Sequence, residues 1–392
     1  MANKKAFSNF RQAAFLSCLA GVPCALPLSQ AADVPACHWP MYRGGPDLRG
    51  MAPGQIPNRL RLAWRFATGG PVLSSAAVWD GKVYIGSNDG FLYALNASTG
   101  EKRWSFQTQD TVESSPCVLN ERVYFGSADG FLYCLDAKEG KPLWKHETED
   151  RILSSPNWFL NEKGAARIVV GSYDCRLYCV DAETGEKVWT YETENYVNGS
   201  PAVGDGRIVV GGCDSRLHIV SATDGRQIAL GEAGAYIAAS VALFDGRGYI
   251  GHYGNEFLCF DAKTGNVLWT YKDRSFPYFS SAAVGEDRVV FGGRDKRVHC
   301  VDRTTGKRLW VFNTRGKVDS SPVICGDKVV VGSDDGRLYL IGLGEGREIW
   351  SYEIGEAIPS SPAVCSGLVI VGAEDGVVYA FGPPEGPSPE GH

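Results

Sequence analysis

Methionine is scarce, at 3 residues in 392, and so is histidine, at 6. There is no His-x-x-His, no adjacent His-Asp pair and no Cys-x-x-Cys. The usual zinc-ligand spacings are therefore missing, and no metal site is expected. Basic charge is short as well: 39 Lys and Arg face 45 Asp and Glu, a net charge of −6. That surface repels a phosphate backbone, which argues against nucleic acid as a partner. Beyond residue 28 no apolar stretch approaches the ~20 residues of a membrane helix, so no transmembrane segment is expected in the mature chain.

What is abundant is glycine, 48 residues, and aromatic side chains, 11 % of the chain. Much Gly and aromatic with little Met points to many turns and strands, not to a helical bundle. At the N-terminus, Lys4, Lys5 and Arg11 precede an apolar stretch from Ala13 to Leu28, broken by Pro23 and Pro27. Ser29-Gln30-Ala31 then offers small residues for cleavage. Residues 1–32 read as a secretory signal peptide, and the mature chain starts near Ala32 or Asp33. Without that segment the balance is 36 basic to 45 acidic residues, or −9. A lipid anchor requires a Cys behind a Leu-small-small sequence, and Cys18 behind Phe15-Leu16-Ser17 matches poorly. The expectation is an exported, monomeric protein of the periplasm or cell envelope.

One unit then recurs eight times. Its Gly86 returns at Gly126, Gly171, Gly211, Gly251, Gly292, Gly332 and Gly372, at intervals of 40 or 41 residues with a single 45. The longer unit takes its extra residues around Asn161-Glu162-Lys163-Gly164, a polar turn. Each unit reads as a four-stranded antiparallel meander. A Ser-Pro step opens the first strand, and an Asp-Gly or Gly-Asp turn leads to an alternating second strand (Val83-Tyr84-Ile85-Gly86). Asp89-Gly90 and its cognates turn into the third strand, where Gly supplies positive φ. The fourth carries a tryptophan: Trp64, Trp104, Trp144, Trp189, Trp269, Trp310 and Trp350, with Ala229 where one more would fall.

Such a sheet cannot bury its own faces, so the units must stack. The fold expected is all-β, an eight-bladed β-propeller over residues 62–382, behind a leader at 33–61 and before a Pro/Gly-rich tail at 383–392. Leu62 to Phe66 is a lone fourth strand, and Ile358 to Phe381 supplies three strands lacking one, so the two ends complete a blade together. Cys134, Cys179, Cys259 and Cys300 hold the small apolar position of Ala94 and Ala380 and are read as packing. Cys175 and Cys213, on turns of adjacent units, are the one pair worth inspecting for a disulfide.

Ala94-Leu95-Asn96-Ala97-Ser98-Thr99-Gly100-Glu101-Lys102-Arg103-Trp104 resembles the tryptophan-docking motif of the PQQ-like, quinoprotein-type propeller repeat family. Close copies end at Trp144, Trp189, Trp269 and Trp310, and the leading Trp39-Pro40-Met41-Tyr42-Arg43-Gly44-Gly45 resembles that of exported bacterial members. The resemblance implies two kinds of activity. Enzymes of the family hold PQQ and Ca²⁺, with long insertions between blades, an adjacent Cys-Cys pair and an Asp base. Here eight units of 40 account for all of Leu62 to Phe381, and no Cys-Cys exists. Catalytic residues and cofactors are expected to be none, with a PQQ- and Ca²⁺-dependent dehydrogenase as the alternative. Non-enzymatic exported members of BamB type bind another envelope protein, and that is the function expected here.

The candidate binding residues lie where the repetition fails, in units three to six. Loops entering the first strand bring Tyr196 and Asn198, Tyr236, and Phe276, Tyr278 and Phe279. Loops between second and third strands bring Tyr173, His252, Tyr253, Asn255 and Arg294. Both loop sets are expected on one face, where aromatic and Arg groups suit a protein partner or a polysaccharide. The same aromatics could instead plug the channel mouth.

Overall fold

The computed structural model describes residues 38–384. The signal-peptide reading and most of the tail fall outside the described residues. Among these, the chain forms eight four-stranded antiparallel sheets. Blade 1 comprises Ala77–Trp79, Lys82–Gly86, Phe91–Asn96 and Lys102–Gln107, and blades 2 to 7 repeat that order from Cys117, Asn157, Ala202, Ala242, Ala283 and Val323. Blade 8 takes Ala363–Cys365, Leu368–Gly372 and Val377–Gly382 from the C-terminal end and Arg61–Ala67 from the N-terminal end. First strands of neighbouring blades touch at seven of the eight junctions, including that of blades 1 and 8, and at the eighth Ser115 N–H bonds Ser155 Oγ. The result is a closed eight-bladed propeller with the first strands innermost.

The second strands depart from the alternation expected of them. Val83, Tyr84 and Ile85 are all fully buried, because a neighbouring blade covers each face of the sheet. The outer, fourth strands meet solvent along their length, as Lys102–Gln107 does.

The docking tryptophans work between blades. Trp64 Nε1 donates to Ala97 O at 2.8 Å, and Trp104 Nε1 to Ala137 O at 3.3 Å in the next blade. Six of the seven indoles, Trp350 excepted, lie against a glycine of that blade's last turn. At Gly100 (φ +74°) a Cβ would stand 2.7 Å from the Trp64 ring, so only glycine fits. Blade 4 solves the same junction differently. Beside Ala229 the backbone closes up, and a Cβ on Gly265 would lie 2.8 Å from the Cα of Gly231. The missing tryptophan is replaced by glycine-on-glycine contact.

Two devices hold the centre. A second serine of each Ser-Ser step, or its cognate, accepts the amide of the preceding blade's serine. Ser75 N–H donates to Ser115 Oγ at 2.9 Å, and the chain of bonds continues through Ser155, Ser200, Ser240, Ser281, Ser321 and Ser361 back to Ser75. The second device is the leader. Its carbonyls take the exposed amides of the innermost strands in turn: Val78 donates to Trp39, Val118 to Pro40, Val203 to Pro46, Leu243 to Asp47, Val284 to Arg49 and Ile324 to Gly50. At blade 3 the Asn157 side chain reaches Pro46 O instead, at 2.7 Å. Met51–Ala52 then pairs in parallel with Val323–Cys325. Arg43 is buried here and donates to Ser321 O and Ala282 O.

Candidate functional site: the rim of the channel

The loops entering the first strands and those joining second to third strands do share a face. Tyr173 N–H donates to Arg151 O, Cys213 to Tyr196, Tyr253 to Tyr236 and Arg294 to Pro277, and the same bond recurs around the ring. The turn aspartates stiffen this face. Asp89 accepts the amides of Phe91 and Gly69 and the Tyr93 hydroxyl at 2.7 Å. In blades 4 and 6 a histidine replaces that tyrosine. His218 Nε2 lies 2.9 Å from Asp214 and His299 Nε2 lies 3.1 Å from Asp295. These are local His-Asp pairs at a spacing of four, which inspection of adjacent residues alone passed over. Burial alone would raise the Asp214 carboxyl, but the His218 contact and the amides of Arg216 and Glu194 hold it below the usual range.

Of the expected rim residues, Tyr196, Tyr236, Tyr253 and Phe276 are exposed. Tyr173 stacks on Tyr196 with ring centres 4.8 Å apart, and the Arg151 guanidinium lies 4.4 Å over Tyr173. Tyr253 meets Phe279 at 4.3 Å. Arg294 covers Phe279 at 3.8 Å and holds Asp319 with two bonds of 2.9 and 2.8 Å, a fork geometry that fixes both side chains. Lys317 joins Asp319 to Asp334. Asn198 lines the channel mouth, and Asn255 (φ +65°) makes the tight turn after Tyr253. Arg151, Lys317 and Asp319 were missed because they sit in loops that look ordinary one at a time.

Two residues are turned inward, contrary to expectation. Tyr278 is 1 % exposed and packs edge-on to Phe257, Phe291 and His299. It occupies the place of Ile237 in the preceding unit, and the one-residue insertion before it pushes Phe276, not Tyr278, outward. His252 is also buried. Its Nδ1 accepts the Gly254 amide at 2.9 Å, which puts the proton on Nε2, and Nε2 has no hydrogen-bond partner. Burial lowers its pKa, with Glu256 opposing and Lys272 assisting.

Asp273, Asp295 and His299 bring potential ligand atoms within 4.8 Å of one another. Arg297 already pairs with Asp273 at 2.7 Å and Arg308 lies 3.4 Å away, so the two carboxylates are balanced by two guanidiniums. Cys175 and Cys213 are unpaired, and burial raises both thiols.

The channel mouth is a cavity of about 180 Å³ lined by the serine ring, Glu113, Asn198, Phe279 and Asp319, with Tyr42 below. Tyr42 Oη bonds the hydroxyls of Ser281 and Ser321, so a leader side chain lines the channel mouth together with Phe279. A tricyclic quinone with Ca²⁺ does not fit these residues. The volume is under the ~300 Å³ at which cofactor pockets begin. The serine hydroxyls are engaged by backbone amides, and Asp319 by Arg294 and Lys317.

The sequence matches the model of the family described as outer membrane protein assembly factor BamB, over residues 60–157, 159–228, 174–313, 214–354 and 294–386. The chain belongs to this family. Among solved structures it is similar to BamB from Moraxella catarrhalis, at 19 % identity and TM-score 0.69, covering 83 % of this chain and 100 % of that one. It is also similar to a europium-containing methanol dehydrogenase, at 14 % identity and TM-score 0.74, covering 88 % and 98 %. A quinohemoprotein alcohol dehydrogenase from Comamonas testosteroni aligns at 16 % identity and TM-score 0.74, covering 92 % and 82 %. At these identities the likeness is one of fold, which an assembly factor and dehydrogenases share. No curated protein matches the sequence.

Proposed function

We propose that this chain is an exported, non-enzymatic scaffold that binds a protein of the cell envelope through the aromatic arc of blades 3 to 6. The observation that carries this reading is the set of four exposed rings, Tyr196, Tyr236, Tyr253 and Phe276, on one face of a rigid ring. Large aromatics with few rotatable bonds, beside a fixed Arg, are the side chains that dominate protein interfaces. Membership of the BamB family supports an envelope partner.

The test is cross-linking of a tagged chain in cells, followed by mass spectrometry. One envelope protein should dominate the cross-links, and Tyr236→Ala with Tyr253→Ala should remove it. Recovery of the same protein by the double variant overturns the rim assignment. Reconstitution with PQQ and Ca²⁺ tests the dehydrogenase reading: dye reduction with an alcohol substrate would overturn the scaffold reading.

A further inference from the structure

We propose a second binding site on the face opposite the rim: a groove between blades 1 and 2 that takes a neutral oligosaccharide, with the indoles of Trp79 and Trp158 as stacking platforms. The groove has a volume of about 710 Å³ and is walled by His38, Trp79, Leu119 and Trp158. That is within the ~300–1,000 Å³ of small-molecule sites.

Its existence follows from one side chain. In blade 2, Arg122 crosses to the next blade and donates to Glu183 O at 2.8 Å, and in blade 6 Arg288 likewise reaches Leu343 O at 2.8 Å. These arginines cross the space between blades, and the groove that Arg122 spans is smaller, at about 360 Å³. The cognate in blade 1 is Lys82, whose ammonium turns back to Asp80 at 3.0 Å. The turn at Asp136 to Lys138 is left unbridged and the groove stays open.

Trp79 and Trp158 differ from the docking tryptophans. Among the described residues neither gives its indole N–H to a partner, whereas Trp64 and Trp104 donate theirs across the blade junction. His38 stacks on Trp79 at 4.0 Å and 30°, covering one face of that indole. Asn120, Glu121 and Lys138 make no side-chain hydrogen bond among the described residues and line the groove.

The chemistry of the occupant is set by what the groove lacks. Acids (Asp80, Glu121, Asp136) and bases (Lys82, Lys138) nearly balance, so a polyanion gains little. No sheet edge is open for an extended peptide, because the amides of Val78 and Val118 already go to Trp39 and Pro40. Two flat apolar faces bordered by uncommitted amide, carboxylate and ammonium groups match a pyranose. Its C–H face lies on an indole and its hydroxyls meet both donors and acceptors.

The test is titration of the exported chain with chitohexaose, cellohexaose and maltohexaose, followed by calorimetry and tryptophan fluorescence. At least one hexasaccharide should bind and shift the emission. Trp79→Ala and Trp158→Ala should each weaken it by about tenfold or more, the scale of one stacking contact. Asn120→Ala, which removes no packed ring, should weaken it as well, while Tyr236→Ala on the opposite face should not. Three silent hexasaccharides, or equal binding by the tryptophan variants with intact melting curves, would overturn the proposal. So would a proline-rich peptide that competes for the groove.

Discussion

The backbone N–H of Ser361 donates to the hydroxyl of Ser75 at 2.9 Å, and with that bond the inner circle of eight serines closes. Ser75→Ala should leave a buried amide without a partner, at a cost of about 1–3 kcal/mol. Equilibrium urea unfolding measures it, and a loss no greater than that of an exposed serine would refute the role given to the circle.

Tyr236 and Tyr278 enter blades 5 and 6 from equivalent loops but face opposite ways. Tyr236→Ala, at 58 % exposure, should change stability by no more than about 0.5 kcal/mol while abolishing partner capture. Tyr278→Ala should cost about 3–5 kcal/mol by opening a cavity among Phe257, Phe291 and His299. Denaturation midpoints and cross-link yields separate the two outcomes.

Restoring the repeat at blade 4 should harm the protein. Gly231 and Gly265 fill the space that an indole takes elsewhere, so Ala229→Trp should overpack the junction by about 1–3 kcal/mol. A rise in melting temperature would show that the junction is open after all.

His252 gives a pH dependence with a definite sign. Its folded-state pKa is lowered by burial, so the unfolded chain binds the proton more readily. Its contribution is complete above the unfolded value of about 6.5 and is lost as pH falls below that. Protonating Nδ1 also sets it against the Gly254 amide that it accepts. The unfolding midpoint should therefore fall less between pH 7 and 5 in His252→Ser, the residue that blades 1, 2, 3 and 7 carry here. Equal slopes in the two proteins would discard the assignment.

Repetition made the propeller readable, because blade count, closure and docking tryptophans all follow from spacing and need no contacts. The rim was readable in part, since departures from the unit marked the loops that carry the exposed rings. Direction was not: whether Phe276 or Tyr278 points outward turns on a single inserted residue, and period-based reading has no register there. The leader was noticed as a motif, but its task was hidden, because its partners are backbone amides scattered from Val78 to Ile324. The Trp79–Trp158 groove was hidden for a related reason. It arises from Lys82 standing where blades 2 to 6 have Arg, a small change in a variable turn.

The leader's route has a consequence for biogenesis. The stretch from Trp39 to Ala52 is made before any blade, yet the strands it seals are spread from blade 1 to blade 7, and Arg61–Ala67 must wait for the last three strands of all. The first strand of the ring to be made is thus the last to find its place. A ribosome that stalls before residue 377 leaves a product with no way to shut, so every closed ring carries proof that translation passed its final strand.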